Sequence, residues 1–355
     1  MRHTLPLGQM FIAGFHGCEV VDAHWIVSAL AHDRLGGVLL FDRNVDGSIQ
    51  NIQSPVQLKR LVRALCQHAD IVPFVTIDQE GGKVCRLKAS AGFAPSFSAA
   101  ELARQGVDAT ARQAAVLAAD LAEYGINLNF APVVDLDLNP NNPIIGRYAR
   151  SFGADSAEVT AHAAIFIEAH HRQGIGCCLK HFPGHGSAGS DSHLGFVDTT
   201  ECWQPVELEP YRRLLAKGFC DGIMTAHLVN RHLDPSGLPA TLAPQVINGL
   251  LRRELGFDGV VFSDDLQMRA ISQGWSLADA VQQAVLAGVD VLVIGNNLAP
   301  AEDAVQVGIR AIETLLAEGR IEVERIQAAL ARIALFKERI TGRKPWKPLD
   351  PPTAW

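Results

Sequence analysis

The sequence predicts an α/β fold, a single (β/α)8 barrel of the TIM type, on three observations. Eight short apolar runs recur along the 355 residues, at 11–15, 37–41, 71–78, 126–135, 174–181, 222–227, 259–264 and 289–295. Amphipathic stretches of helical length lie between most of them, among them 99–124, 157–173, 243–255 and 277–287. Apolar strands alternating with helices imply a parallel sheet buried on both faces, and eight such units suit a closed barrel better than an open sheet. Third, polar residues cluster at the ends of the runs, the face on which such a barrel carries its active site. No linker or repeat marks a second domain, so the barrel takes residues 1–340 and a Pro-rich tail takes 341–355.

Taken in order, the first run lies within an N-terminal apolar stretch broken by Pro6, Gly8, Gly14 and Gly17, too short and interrupted for a signal peptide. The second run delivers Asp42 and Arg43, and the third delivers Asp78, Gln79 and Glu80 before Gly81 and Gly82. Asp135 ends the fourth, Lys180 and His181 the fifth, and His227 the sixth. Asp264 and Asp265 close the seventh, and Asn296 and Asn297 the eighth. The exit of the fifth is the densest. Pro183, three glycines and two serines rule out a long helix there, so its titratable groups, through Asp191 and His193, sit on a loop expected to be mobile.

Composition narrows the partners. With 48% hydrophobic and 19% charged residues the chain has ample core material and no sign of disorder. A net charge of −7 without any Lys/Arg run offers no footprint for nucleic acid or an anionic membrane. A small uncharged or mixed ligand fits better. The seven cysteines, at positions 18, 66, 85, 177, 178, 202 and 220, include no C-x-x-C pair and read as reduced thiols of a cytoplasmic protein. No run reaches membrane-spanning length, and a monomer is the default.

Three motifs carry a resemblance: I-D-Q-E-G-G-K-V at 77–84, K-H-F-P-G-H-G at 180–186 followed by Asp191-Ser192-His193, and V-F-S-D-D-L at 261–266. Together, and in this order, the chain resembles glycoside hydrolase family 3, in particular its single-domain β-N-acetylglucosaminidases. The resemblance implies a barrel that removes terminal β-linked N-acetylglucosamine with retention, through a covalent glycosyl-Asp. It also implies no cofactor and, for Gram-negative members, cytosolic action on recycled cell-wall muropeptides. Carried over by motif, Asp264 is the nucleophile and His193, paired with Asp191, the acid/base. Asp78, Arg86, Arg150, Lys180 and His181 bind sugar hydroxyls and the acetamido group. Two features depart from the family pattern: Lys83 stands where many members carry Arg, and the insert at 139–147 is rich in Asn and Pro.

The residues read the same way from chemistry. Retaining cleavage needs a nucleophile and an acid on opposite sides of the sugar. Asp264 ends a strand and is rigid, and Lys180 could keep it ionised, whereas Asp265 suits a cap on the following turn. An imidazole titrates near neutrality without deep burial, and residues two apart in an extended loop point the same way, so Asp191 can orient His193. Glu80 is the next carboxylate to consider as acid. Lys180 and His181 are adjacent, so alternation would send them to opposite faces unless a bulge precedes Pro183. His185 suits loop stabilisation, and Trp25, Trp203 and Trp275 suit the core better than sugar stacking.

Other classes stay open. A metal hydrolase could use His181, His185, Asp191, His193 and Asp264, although Lys180 would set a cation beside the metal. A Schiff-base enzyme could use Lys180, and a non-catalytic sugar binder would be expected to have lost Asp264 or His193. A histidine acid repels phosphate less than a glutamate, which leaves phosphorolysis compatible with the sequence.

Overall fold

The computed structural model describes residues 5–192 and 194–342. His193 and the tail beyond residue 342 lie outside them. Eight parallel strands form one sheet: β1 (Phe11–Gly14), β2 (Gly37–Leu40), β3 (Phe74–Ile77), β4 (Leu128–Asn129), β5 (Gly176–Phe182), β6 (Gly222–Thr225), β7 (Val260–Phe262) and β8 (Leu292–Ile294). Neighbours in sequence are neighbours in the sheet, and β1 pairs with β8 through Phe11, Ile12 and Ala13 against Leu292, Val293 and Ile294. A parallel bridge between Phe262 and Val291 closes the ring. All eight predicted runs are barrel strands.

Their extents differ for identifiable reasons. The third run loses its first residues because Pro73 has no N–H to donate, and Ile71 and Val72 stay exposed. The fourth pairs regularly only over two residues, since Pro132 interrupts the ladder before Val133 bridges Lys180. The expected helix 99–124 is two, Ala99–Gln105 and Val107–Glu123. Gly106 divides them with φ +87°, a conformation that glycine adopts at little cost. The stretch 243–255 winds with wide i→i+5 bonds over Gln245–Glu254.

Helices not singled out from sequence complete the outer ring, among them Pro55–Gln67, Ala304–Ala317 and Val323–Ile340. The last of these plugs the barrel floor. Its Phe336 is buried and lies 5.3 Å from the ring of Phe74 and 6.4 Å from Phe262. A Cβ at Gly176 would meet the Phe336 ring at 2.5 Å, so the start of β5 is glycine because a core ring fills the space. Among the described residues no helix is long and apolar enough to cross a membrane.

Candidate active site

The opposite end of the barrel opens into a cavity of about 800 Å³. Asp78, next after β3, Lys180 and His181 of β5, and Asp264, just past β7, all line it, together with Arg86 and Arg150 from intervening loops. Alternation along β5 would separate Lys180 from His181. The register against β6 shifts between Leu179 and Phe182, and both side chains reach the cavity.

The floor is a chain of buried ion pairs. The Lys180 ammonium lies 2.7 Å from Asp78 Oδ1 and 2.7 Å from Glu80 Oε1. Glu80 in turn accepts two hydrogen bonds of 2.8 Å from the Arg150 guanidinium, a bidentate pairing that fixes its plane. Burial alone would raise the Glu80 carboxyl, but Arg150 and Lys180 outweigh it and hold it at about 2. Asp78 is likewise held below the usual carboxylate range, with Lys180 and Arg86 overcoming burial. Burial disfavours the Lys180 and Arg150 cations, yet these same carboxylates raise both. The floor is therefore fully ionised near neutrality, and Glu80 cannot donate a proton. The direct carboxylate partners of Lys180 are Asp78 and Glu80.

His181 is set by Asp135. Its Nδ1 lies 2.7 Å from Asp135 Oδ2, its backbone N–H donates to the same carboxylate, and its Nε2 sits 3.3 Å from Arg150 Nη2. Asp135 also accepts from the His185 backbone N–H at 2.8 Å. Burial would raise this carboxyl, and His181 pulls it below its ordinary value.

The loop after β5 is not mobile throughout. Pro183 to Ala188 are buried, and their backbone is tied down on both sides. Glu207 Oε2 accepts from the N–H of Gly186 at 2.9 Å and of Ser187 at 3.4 Å, while its Oε1 accepts from the Ser187 hydroxyl. Asn142 donates to the carbonyls of His185 and Gly186, and Asn139 to that of Ala188. Gly186 is held so close that an added Cβ would lie 1.7 Å from the Leu136 carbonyl oxygen. Farther along, Gly189 and Ser190 are exposed. Asp191 is half-buried, its carbonyl accepts from Leu194 N–H, and it is not among the cavity-lining residues. His193 lies outside the described residues.

The two carboxylates after β7 differ as their chemistry suggested. Asp265 Oδ1 accepts from the N–H groups of Gln267 and Gly295, so it serves the backbone of the following turn and of β8. Asp264, half-buried, accepts from Asp265 N–H at 2.8 Å and lines the cavity. His185 is pushed down to about 4, chiefly by burial, and stays neutral within the loop stem. Trp25, Trp203 and Trp275 pack on the core. Among the described residues no three His, Cys, Asp or Glu side chains are grouped to hold a metal ion.

A model of the glycosyl hydrolase family 3 N-terminal domain matches residues 7–335. The chain belongs to glycosyl hydrolase family 3. A β-hexosaminidase of Tolumonas auensis is 36% identical over 80% of this chain and 82% of its own length. One of Idiomarina loihiensis is 33% identical over 88% and 92%. Among solved structures, a family 3 β-N-acetylglucosaminidase from Paenibacillus superposes with a TM-score of 0.86 at 32% identity, covering 98% of this chain and 64% of that one. A β-N-acetylhexosaminidase from Beutenbergia cavernae gives a TM-score of 0.83 at 27% identity, covering 94% and 97%. The chain is thus a glycoside hydrolase with carbohydrate as its substrate.

Within this family 3 barrel, the residues whose supporting role the sequence does not show are three acids: Glu80, considered only as an alternative proton donor, Asp135 and Glu207. Glu80 carried a usable signal: it lies two positions from Asp78 and so shares its face in an extended segment. Asp135 stood at a strand end. Glu207 carried only a local signal, the capping box it forms with Gln204 ahead of a helical turn, while its loop partners Gly186 and Ser187 lie some 20 residues away.

Proposed function

We propose that the chain is a retaining exo-β-N-acetylglucosaminidase acting in the cytoplasm on cell-wall muropeptides. In this reading an Asp264 carboxylate oxygen attacks C1 as the C1–O bond breaks, and the departing oxygen takes a proton from the His193 imidazolium. Water then attacks C1, the neutral imidazole takes its proton, and the carboxylate leaves. Asp191 orients His193. Asp78, Arg86, Arg150, Lys180 and His181 hold the sugar: an ionised floor whose charges are already balanced can accept and donate hydrogen bonds to hydroxyls without reorganising.

The observation that supports the reading is the division of labour after β7: both carboxylates line the cavity, but Asp265 accepts from the backbone N–H groups of Gln267 and Gly295, whereas Asp264 accepts from Asp265 N–H and shares the cavity with the Asp78–Lys180 pair. The β-hexosaminidase and β-N-acetylglucosaminidase relatives support the choice of N-acetylglucosamine. The test is release of p-nitrophenol from the β-N-acetylglucosaminide against the β-glucoside, with and without EDTA. A strong preference for the first, unaffected by chelator, is expected. Turnover restored only by added zinc would overturn it.

A further inference from the structure

His227 stands at the end of the sixth apolar run and has no part in the reading above. It is buried, at 1% exposure, two residues beyond β6, and it is not among the residues lining the cavity. Its Nε2 lies 2.9 Å from the Asp265 carbonyl oxygen and its Nδ1 2.8 Å from the Thr241 hydroxyl. A carbonyl only accepts, so Nε2 carries a proton and the ring donates to the backbone just past Asp264.

The contacts continue through two threonines. Thr241, on a short turn over Ala240–Leu242, is fully buried. Its hydroxyl lies 2.8 Å from that of Thr225, the last residue of β6, and 3.1 Å from the Ala226 carbonyl oxygen. Thr225, also fully buried, reaches the carbonyl oxygen of Phe262, the last residue of β7, at 3.3 Å. Three buried side chains thus cross from β6 to β7 and meet the carbonyls on either side of Ser263 and Asp264. A buried polar network whose members are partnered to one another holds one geometry.

Asp264 hangs from the stretch so held. Its carboxylate accepts from Asp265 N–H at 2.8 Å, which refers the oxygen to the same backbone whose next carbonyl His227 holds. That carbonyl also accepts from Met268 N–H at 3.0 Å, and the Asp265 carboxylate accepts from the N–H groups of Gln267 and Gly295. These bonds fix Asp265 to its own turn and to the end of β8. His227 adds the tie to β6.

Resting on the reading of Asp264 as nucleophile, we propose that His227 is a positioning residue for attack on C1. With Thr241 and Thr225 it braces the backbone on both sides of Asp264 and so sets where the attacking oxygen stands. Displacing a reacting group by about 1 Å costs on the order of 10²-fold in rate. The sugar itself is held by the floor after β3 and β5, so the effect falls on kcat and not on binding.

Three substitutions separate the contacts. His227→Gln sets an amide N–H near the place of Nε2 and keeps the bond to Asp265. His227→Asn reaches only the place of Nδ1 and keeps the contact with Thr241. His227→Phe fills the volume and keeps neither. On p-nitrophenyl β-N-acetylglucosaminide the Asn and Phe variants are expected to lose about 10²-fold in kcat, with KM and calorimetric affinity for free N-acetylglucosamine within about twofold, while the Gln variant returns to within about fivefold of the unmodified enzyme. The rate at which a slow fluorinated glycoside labels Asp264 should fall by the same factor as kcat. Equal losses in the Gln and Asn variants, a loss carried by KM and product affinity, or an unchanged kcat in the Phe variant would overturn the inference. Thr225→Val tests the other arm without touching the ring and stands if a His227 variant fails to fold: kcat is expected to fall severalfold at constant KM, and an unchanged kcat would refute the two-sided brace. A label found on a residue other than Asp264 in the unmodified enzyme would instead sink the underlying reading, so the two failures are told apart.

Discussion

The floor of the cavity and the loop after β5 are built on opposite principles. On the floor every charged group has found protein: Lys180, Asp78, Glu80 and Arg150 form one buried chain of contacts between 2.7 and 2.8 Å. Groups so paired are driven far from neutral pH, Glu80 to about 2, and so cannot exchange protons during turnover. The loop has a pinned stem at 184–188, and of the described residues beyond it Gly189, Ser190, Leu194 and Phe196 are exposed while Ser192 is buried. In the proposed mechanism binding falls to the first design and proton transfer to the second, because an acid/base must titrate near the working pH.

The largest way to break this division is to remove the proposed nucleophile. Asp264→Ala is expected to lower kcat by roughly 10⁴-fold or more while leaving binding of free N-acetylglucosamine measurable by calorimetry. Peptide mapping after a slow fluorinated glycoside should place the label on Asp264, and a label on Asp265 would refute the assignment. Next in size is His193→Ala, expected to cost about 10²–10⁴-fold on a disaccharide and far less on p-nitrophenyl substrate, since a phenolate leaves with little protonation. Asp191→Ala should show the same trend more weakly. Equal losses on both substrates would move proton transfer away from the loop.

Glu80→Gln sharpens the other side. It leaves Arg150 and Lys180 short of a counter-charge in a buried place, so a stability loss of about 3–5 kcal/mol is expected in urea unfolding, together with a higher KM. A variant of unchanged stability would mean that the floor is held by something other than its ion pairs.

How much of this was legible depends on the range of the interaction. The eight strands are continuous apolar runs, and a run announces itself locally, so all eight were found. Gly106, a single residue at positive φ inside an otherwise helical pattern, was not found as a break, because its conformation depends on the packing of the two helices it joins. Asp78, Arg86, Arg150, Lys180, His181 and Asp264 meet in one cavity because the strand-end rule of a barrel brings residues distant in sequence together. Who pairs with whom was not legible: Glu80 and Arg150 are 70 positions apart, and both Lys180 and Arg150 were free to choose among several acids. The pinning of the loop stem by Asn139, Asn142 and Glu207 was not legible from its glycines, of which Gly186 serves close approach to the Leu136 backbone and Gly184 to the Glu207 side chain.

The smallest effect concerns that stem. Burial pushes the Glu207 carboxyl up to about 7, against the N–H and O–H donors around it, while in the unfolded chain it sits near 4.5. The folded form therefore keeps its proton where the unfolded form releases it. Below about pH 4.5 both are protonated and the stabilising contribution is complete; as pH rises toward 7 the unfolded state binds fewer protons, and the contribution is lost. The whole effect is at most about 3 kcal/mol. Glu207→Gln, which does not titrate, lacks this term even though it weakens the clamp on Gly186 and Ser187. Unfolding free energies of the two proteins at pH 5, 6, 7 and 8 should therefore differ by an amount that shrinks toward pH 7 and then levels off. A difference that stays constant over this range, or grows with pH, would show that Glu207 holds the loop as a carboxylate throughout, and would place this part of the loop with the ionised floor.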